Sequence, residues 1–459
     1  MSTGDSALMI SISGVRGVIG PALNAEVAGR FAAAFGTWTP PGAIVVGRDS
    51  RLSGPMMRHA IIAGLLSTGH DVIDLGIATT PTTEVMVTTH GASGGVIITA
   101  SHNPEPWNAL KLLDAKSLFL SASQGEAVLA ILHEGRAVHR RWDELGTLTE
   151  DPAASEVHIR GILNLPWIDR GAIAARRPKV VVDCTNGAGG EIAPELLRRL
   201  GADVVEMNCE PTGRFGRRPE PTPANLTALC ERVRATGADL GFATDPDADR
   251  LGVVDGDGVA LSEEYTLALA ADFLLAKAPG PVVVNLSTTQ ALDDVCARHH
   301  VPLFRTAVGE ANVVAKMLEV GAIVGGEGNG GVILPKLHPG RDAMVGMALI
   351  LQFFVESSRP IAALHAALPQ YTMVKRSLPL PRPVTDAELI DIARAAFGGT
   401  LDTVDGVKAT RTDGWVHLRR SNTEPIVRAI AESRDPATAS GLVDLALHRF
   451  SELTAVRGG

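Results

Sequence analysis

Gly95-Val96-Ile97-Ile98-Thr99-Ala100-Ser101-His102-Asn103-Pro104 is the stretch from which the rest of the chain is read. Its first half is a β-branched apolar run, which suits a strand buried on both faces. Its second half is small and polar and ends on proline, which suits a loop leaving the strand's carboxyl end. That edge is where open α/β sheets bind ligands. Ser101 is therefore expected on a tight turn outside the sheet. His102 is a poor base for it, because adjacent side chains on extended backbone point to opposite faces. The G-x-S-x-G elbow of serine hydrolases is absent. A serine that carries a phosphoryl group is a second use, and it would add about −1.5 to −2 charge that needs cations nearby. On this stretch alone, a plain surface serine stays open.

The same grammar runs outward in both directions. Ile44-Val45-Val46, Val180-Val181-Val182 and Val282-Val283-Val284 each precede a polar loop and a helix, which suggests a repeated α/β unit. Alternation of strand and helix implies parallel strands with right-handed crossovers. Lys111 lies in a strand expected at Asn108–Leu112, and a helix is expected over Gln124–His133. Thr185–Gly190 lacks the Walker lysine and reads as a plain βα turn. Asp255-Gly256-Asp257-Gly258 reads as a hairpin turn. From about residue 370 the pattern changes to a helix over Thr385–Phe397, strands near Val404–Lys408, Trp415–Leu418 and Ile426–Ala431, and a final helix from Pro436. The expected domains are 1–152, 153–254, 255–369 and 370–459.

Composition bounds the function. The chain has 459 residues, 45% hydrophobic and 20% charged, with a formal net charge of −9. This is globular composition, too long for one core, and too acidic for a general nucleic-acid partner. Cys184, Cys209, Cys230 and Cys296 form no C-x-x-C pair, which argues against zinc fingers and a disulfide framework. The N-terminus shows no basic segment followed by an apolar core, and Ala343–Val355 is too short to span a bilayer. A cytoplasmic protein with no membrane partner is expected.

Three further stretches carry chemistry. Asp245, Asp247 and Asp249 alternate, so on extended backbone their carboxylates face one way. They repel one another unless a divalent cation sits between them. An all-oxygen set points to Mg²⁺, which commonly shares a phosphate oxygen, and Ser101 would supply one if phosphorylated. Glu327 and Asn329, on a glycine-rich loop, suit vicinal sugar hydroxyls. Arg419, Ser421, Asn422 and Thr423, with Arg428 following, suit a phosphate dianion. Acidic turn, glycine turn and polar hairpin are the plain alternatives for these three.

In this order the motifs resemble the α-D-phosphohexomutase family over essentially the whole chain. Thr99–Pro104 looks like its phosphoserine loop and Asp245–Arg250 its metal loop. Gly326–Gly331 looks like its sugar loop and Arg419–Pro425 its phosphate loop. The resemblance implies three similar α/β domains with mixed sheets, then a smaller α+β TATA-box-binding-protein-like domain. It implies phosphoryl transfer between Ser101 and a hexose 6- or 1-phosphate through a bisphosphosugar, which also serves as activator, with Mg²⁺ on Ser101 and the three aspartates. Arg16 and Lys111 match the basic residues beside the serine, with Lys111 as the acid/base, His102 as a loop-orienting residue and Arg250 holding phosphoserine or substrate. The implied partners are small hexose phosphates, and the implied state is a monomer or homodimer. Ala109 stands where many members have Gly, Gly331 where several branches have His, and Val308 near a His of branches that use mannose and glucose phosphates. Gly14–Gly17, Trp107–Lys111 and the Asn329 loop are more similar to chains assigned to phosphoglucosamine mutase. A phosphoserine-dependent phosphatase and a non-catalytic sugar-phosphate binder are the competing classes.

Overall fold

Seven strands, β1 (Met9–Ser11), β2 (Gly14–Val18), β3 (Ile44–Arg48), β4 (Val72–Ile77), β5 (Gly94–Ile98), β6 (Trp107–Asp114) and β7 (Leu148–Glu150), form one sheet in the order β1-β2-β6-β5-β3-β4-β7. The structure is a computed structural model that describes residues 8–11, 14–379, 384–420 and 426–456. β3 lies between the parallel neighbours β4 and β5, as its unbroken apolar run requires. β6 returns antiparallel to both β5 and β2, so the sheet is mixed. Helices α1 (Ala25–Trp38), α2 (Gly54–Ser67), α3 (Thr80–Thr89) and α4 (Ala122–His133) make the connections. On one face Phe31, Phe35, Ile61, Leu65 and Val128 pack on Ile44, Val96, Ile98 and Leu112. On the other, Met86 and Val87 of α3 pack on Val45, Ile97 and Leu113.

After α5 (Ala154–Leu163) and α6 (Arg170–Arg176) come β8 (Lys179–Asp183), α7 (Gly189–Leu200), β9 (Asp203–Met207), α8 (Thr227–Thr236), β10 (Leu240–Thr244), β11 (Leu251–Asp255) and α9 (Glu264–Lys277). β8 again has parallel neighbours on both sides, β10 and β9, and β11 closes the edge antiparallel to β10. The third opening repeats the plan. β12 (Val282–Asn285) lies between the parallel β13 (Leu303–Thr306) and β14 (Val324–Glu327), with α10 (Ala291–Arg298) and α11 (Glu310–Val320) between them in sequence. β15 (Gly331–Leu334) and β16 (His338–Arg341) form an antiparallel pair and lead into α12 (Ala343–Ser357), which is buried from Ala343 through Gln352. The repeat expected from Ile44, Val180 and Val282 is thus a repeat of central strands.

The last part is antiparallel. β17 (Thr372–Pro379), α13 (Asp386–Ala396), β18 (Thr400–Asp402), β19 (Val407–Thr410), β20 (Trp415–Arg420), β21 (Ile426–Ser433) and α14 (Pro436–Val456) give the strand order β17-β21-β20-β19-β18. Its core joins Leu389, Phe397, Val416, Leu418, Val427 and Phe450. The strand expected at Val404–Lys408 straddles a turn instead. Gly406 has φ +67, and strands β18 and β19 pair across it. Residues 1–277 with 329–364 form one compact unit, and residues 278–328 with 365–459 form another. The cysteines are free, although the Cys184 and Cys209 thiols meet beyond the ends of β8 and β9. Among the described residues no helix is long and apolar enough to cross a membrane.

Candidate active site

The β5 run ends as expected in a turn, and the turn is strained. Ser101 has φ +49, a left-handed conformation that costs a non-glycine residue about 1–2 kcal/mol. Three neighbours offset it. Thr99 Oγ1 accepts from the Ser101 N–H at 2.9 Å and donates to Asp49 Oδ2 at 2.7 Å. Arg51, fully buried and paired to Asp49 at 2.9 Å, donates to the carbonyls of Ser101, Asn103, Pro104 and Trp107 at 2.6, 2.7, 2.7 and 3.0 Å. One guanidinium therefore holds the whole loop. The left-handed turn also corrects the reading of His102. The backbone is not extended there, and Ser101 Oγ lies 3.3 Å from His102 Nδ1. Burial, and then the charges of Arg250 and Arg16, push the His102 imidazole down to about 2, so it is neutral. Arg16 Nη1 donates to Asn103 Oδ1 at 2.7 Å.

The Ser101 hydroxyl donates to Asp245 Oδ2 at 2.9 Å, which joins the first expected motif to the second. Asp245, Asp247 and Asp249 are completely buried, and one oxygen of each lies within 4.8 Å of the others. They converge on a turn rather than on extended backbone. Ala248 has φ +55, and its N–H bonds to the Asp245 carbonyl at 3.1 Å. Lys111, from the middle of β6, reaches Asp247 Oδ2 at 2.8 Å and Asp249 Oδ2 at 3.6 Å. Thr80 at the start of α3 donates to Asp247 Oδ2 at 2.7 Å. Arg341 pairs with Asp249 Oδ2 at 2.6 Å. Arg250 gives its N–H to Asp245 Oδ1 at 3.2 Å and pairs with Glu220 at 2.9 Å.

Burial raises Asp245 well above the usual carboxylate range, and the charges of Asp249 and Asp247 raise it further. Burial also opposes ionisation of Asp247, but Lys111 beside it outweighs burial and holds it below that range. Burial pulls Lys111 down, yet Asp247 and Asp249 win and keep it an ammonium. Asp247 Oδ1 and Asp249 Oδ1 are buried without a hydrogen-bond partner. Orphaned buried carboxylate oxygens are costly. An all-oxygen donor set with two vacant lone-pair positions fits a hard divalent cation.

The remaining expected residues lie elsewhere in the chain. Glu327, at the end of β14, accepts from Asn285 Nδ2 at 2.9 Å and from the Gly309 N–H at 3.0 Å. Asn329 Oδ1 accepts from the Gly331 N–H at 3.2 Å. Arg419 pairs with Asp405 at 2.8 Å, and Asp405 also accepts from the Val308 N–H at 2.8 Å. Arg428 is the cross-strand partner of Arg419 and is exposed. Ser421, Asn422 and Thr423 lie outside the described residues. Arg51, Thr80, Arg341 and Asp405 were not singled out from the sequence. Only the Asp-x-Arg spacing of Asp49 and Arg51, at the end of a buried strand, offered a signal.

A hydroxyl against a buried carboxylate triad, with an ammonium on the same triad, is equipment for moving a phosphoryl group. The phosphoglucomutase/phosphomannomutase domain profiles match in order: domain I over residues 9–139, domain II over 156–258, domain III over 262–371 and the C-terminal domain over 378–447. A "Phosphoglucomutase/phosphomannomutase" of Thermococcus kodakarensis is 39% identical over 96% of this chain and 97% of its own. A "Probable phosphoglucosamine mutase" of Methanopyrus kandleri is 37% identical over 94% and 95%. The crystal structure of a phosphoglucomutase/phosphomannomutase family protein from Burkholderia thailandensis matches with TM-score 0.84 and 29% identity, covering 97% of this chain and 98% of that one. The chain belongs to the phosphoglucomutase/phosphomannomutase family. It is a phosphohexomutase, an isomerase of four-domain architecture.

Proposed function

We propose that the protein interconverts glucosamine 6-phosphate and glucosamine 1-phosphate through a phosphoserine at Ser101 and a bisphosphosugar. The observation that carries this reading is the 2.9 Å contact between Ser101 Oγ and Asp245, on the same triad that Lys111 pairs with. In the first half-reaction the free hydroxyl of the sugar monophosphate attacks the phosphorus on Ser101. The Oγ–P bond breaks, Oγ takes a proton, and the sugar hydroxyl gives one up. Lys111, held as an ammonium, supplies the proton to Oγ and takes up in its place the proton that the sugar hydroxyl gives up, so it ends the half-reaction an ammonium again, and neutral His102 orients it. In the second half-reaction the bisphosphosugar presents its other phosphate: Ser101 Oγ attacks that phosphorus and gives up its proton to Lys111, the sugar O–P bond breaks, and the sugar oxygen takes a proton from Lys111. Ser101, Asp245, Asp247 and Asp249 would hold a Mg²⁺, which would supply charge neutralisation at the transferring phosphoryl group. Arg16 and Arg250 add fixed positive charge beside it. Glu327 and Asn329 read sugar hydroxyls, and Arg419, Ser421, Asn422, Thr423 and Arg428 hold the phosphate that is not reacting.

The four domains that divide these roles are proposed to span 1–152, 153–254, 255–369 and 370–459. The relative from Methanopyrus kandleri and the Asn329 loop support glucosamine as the sugar. The relative from Thermococcus kodakarensis supports a second reading, in which glucose and mannose phosphates are the substrates. Phosphorus NMR decides between them. The protein is incubated with Mg²⁺, a trace of bisphosphosugar and each hexose 6-phosphate in turn. The fastest growth of a 1-phosphate signal with glucosamine supports the first reading, and faster growth with glucose or mannose overturns it. Free phosphate as the main product would mean a phosphatase.

A further inference from the structure

Gly331 opens β15, and a side chain there is excluded by a neighbour rather than by the backbone. A Cβ on Gly331 would lie 2.3 Å from Arg341 Cδ and 2.9 Å from its Cγ. No left-handed φ requires glycine at this position. Arg341 comes from β16, paired with β15, and fills the space that a residue at 331 would take. Its guanidinium holds Asp249 Oδ2 at 2.6 Å, while Asp249 Oδ1 is buried and without a hydrogen-bond partner. One carboxylate oxygen is thus fixed, while the other makes no hydrogen bond and has Arg250 Nε beside it at 3.8 Å, which is how an outer residue aims a ligand. The charge of the same guanidinium disfavours the protonated forms of Lys111 and His102.

The backbone that carries Arg341 is fixed on both sides. The Ala343 N–H bonds to the Ala248 carbonyl, inside the aspartate loop, at 3.2 Å. Asp342 caps α12 through the N–H of Met344 at 2.8 Å. With its other oxygen Asp342 takes His158 Nε2 at 2.9 Å and His338 Nε2 at 3.2 Å.

We propose that Arg341 is a positioning residue that aims Asp249 Oδ1 at the bound cation, and that Gly331 is glycine to leave room for it. This rests on the reading of Asp245, Asp247 and Asp249 as the cation site. The test is Mn²⁺ binding to metal-free protein, followed by electron paramagnetic resonance without substrate. Arg341→Met keeps the length and removes the fork and charge; it is expected to weaken Mn²⁺ about 10- to 100-fold, the usual loss for an outer-shell partner. Arg341→Lys should recover part of the loss. Gly331→Ala should weaken binding by displacing Arg341, and the double variant Gly331→Ala/Arg341→Met should bind no more weakly than Arg341→Met alone. Unchanged or tighter Mn²⁺ binding in Arg341→Met would overturn the proposal, since Arg341 would then be only a counter-charge competing with the metal. Additive losses in the double variant would overturn the role given to Gly331. If Arg341→Met does not fold, by circular dichroism, Arg341→Lys and Gly331→Ala carry the same test. A wild-type protein whose Mn²⁺ binding is indifferent to Asp247→Asn overturns the cation-site reading itself, and the proposal with it.

Discussion

Arg51 does more for Ser101 than any residue in the serine loop itself. It shares one buried volume with Asp49 and satisfies four carbonyls of the loop. Truncating it leaves the Asp49 carboxylate buried without its cation, a loss of about 3–5 kcal/mol for a buried pair. Arg51→Met is therefore expected to lower the unfolding free energy by that amount in urea, and to slow phosphoryl transfer beyond what the stability loss explains. A variant with wild-type stability would contradict this account of the loop. At this scale the sequence was legible in part. Ser101, Lys111 and the three aspartates could be picked out because their spacing is specific. The geometry that brings them together was not, because it depends on positive φ at Ser101 and Ala248, which residue types disfavouring that conformation do not announce.

At the scale of elements, α3 and the β16–α12 junction meet in a buried polar cluster. His338 lies between Asp342 at 3.2 Å and Glu84 at 3.1 Å, and Asp342 also takes His158. Gly340 has no room for a side chain because the Glu84 carboxylate occupies it. Through Thr80 on α3 and Arg341 on β16, the same two elements touch Asp247 and Asp249. Burial pulls the His338 imidazole down, but the hydrogen bond to Asp342 and the Glu84 carboxylate beside it win and raise it from 6.5 to about 10. A raised folded-state value stabilises fully below the unfolded value and is lost as pH rises through the folded one. The contribution of His338 is thus complete below pH 6.5, declines between 6.5 and about 10, and is absent above. His338→Gln should cost about 3–5 kcal/mol near neutral pH, and its stability should fall less steeply than the wild type's between pH 6.5 and 10. Parallel profiles would contradict the charged state assigned to His338. Burial of Asp342 is outweighed by His158 and His338, which hold it below the ordinary carboxylate range. Its contribution is lost only in acid. None of this was legible in the sequence, where His158, His338 and Glu84 stand far apart. The strand expected at Val404–Lys408 failed for a nearer reason: its β-branched residues flank Gly406, whose left-handed φ makes the turn.

For the whole molecule, what the sequence offered best was order. The four motifs follow one another as the four family profiles do, and the central strands at Ile44, Val180 and Val282 repeat one arrangement. The sugar was not legible, because its identity depends on a few contacts rather than on the fold. The triad predicts metal linkage of the folded state. A cation that binds only the folded protein should raise the unfolding free energy by about 2.7 kcal/mol at a hundredfold excess over its dissociation constant. Chelation should abolish both that gain and turnover, Mg²⁺ should restore both, and Asp247→Asn should remove the stabilisation. Retention of full activity after exhaustive chelation would contradict the cation's part.

In the proposed reaction Ser101 carries the phosphoryl group between two positions of the sugar. The most direct test uses hexose 1,6-bisphosphate with labelled phosphate. The protein is incubated with it, stopped, digested and mapped by mass spectrometry, and a second portion is chased with unlabelled hexose 6-phosphate. Label is expected on the Ser101 peptide alone, absent from Ser101→Ala, and should pass in the chase to sugar phosphate. Label on another residue, or its release as free phosphate, would contradict this role of Ser101.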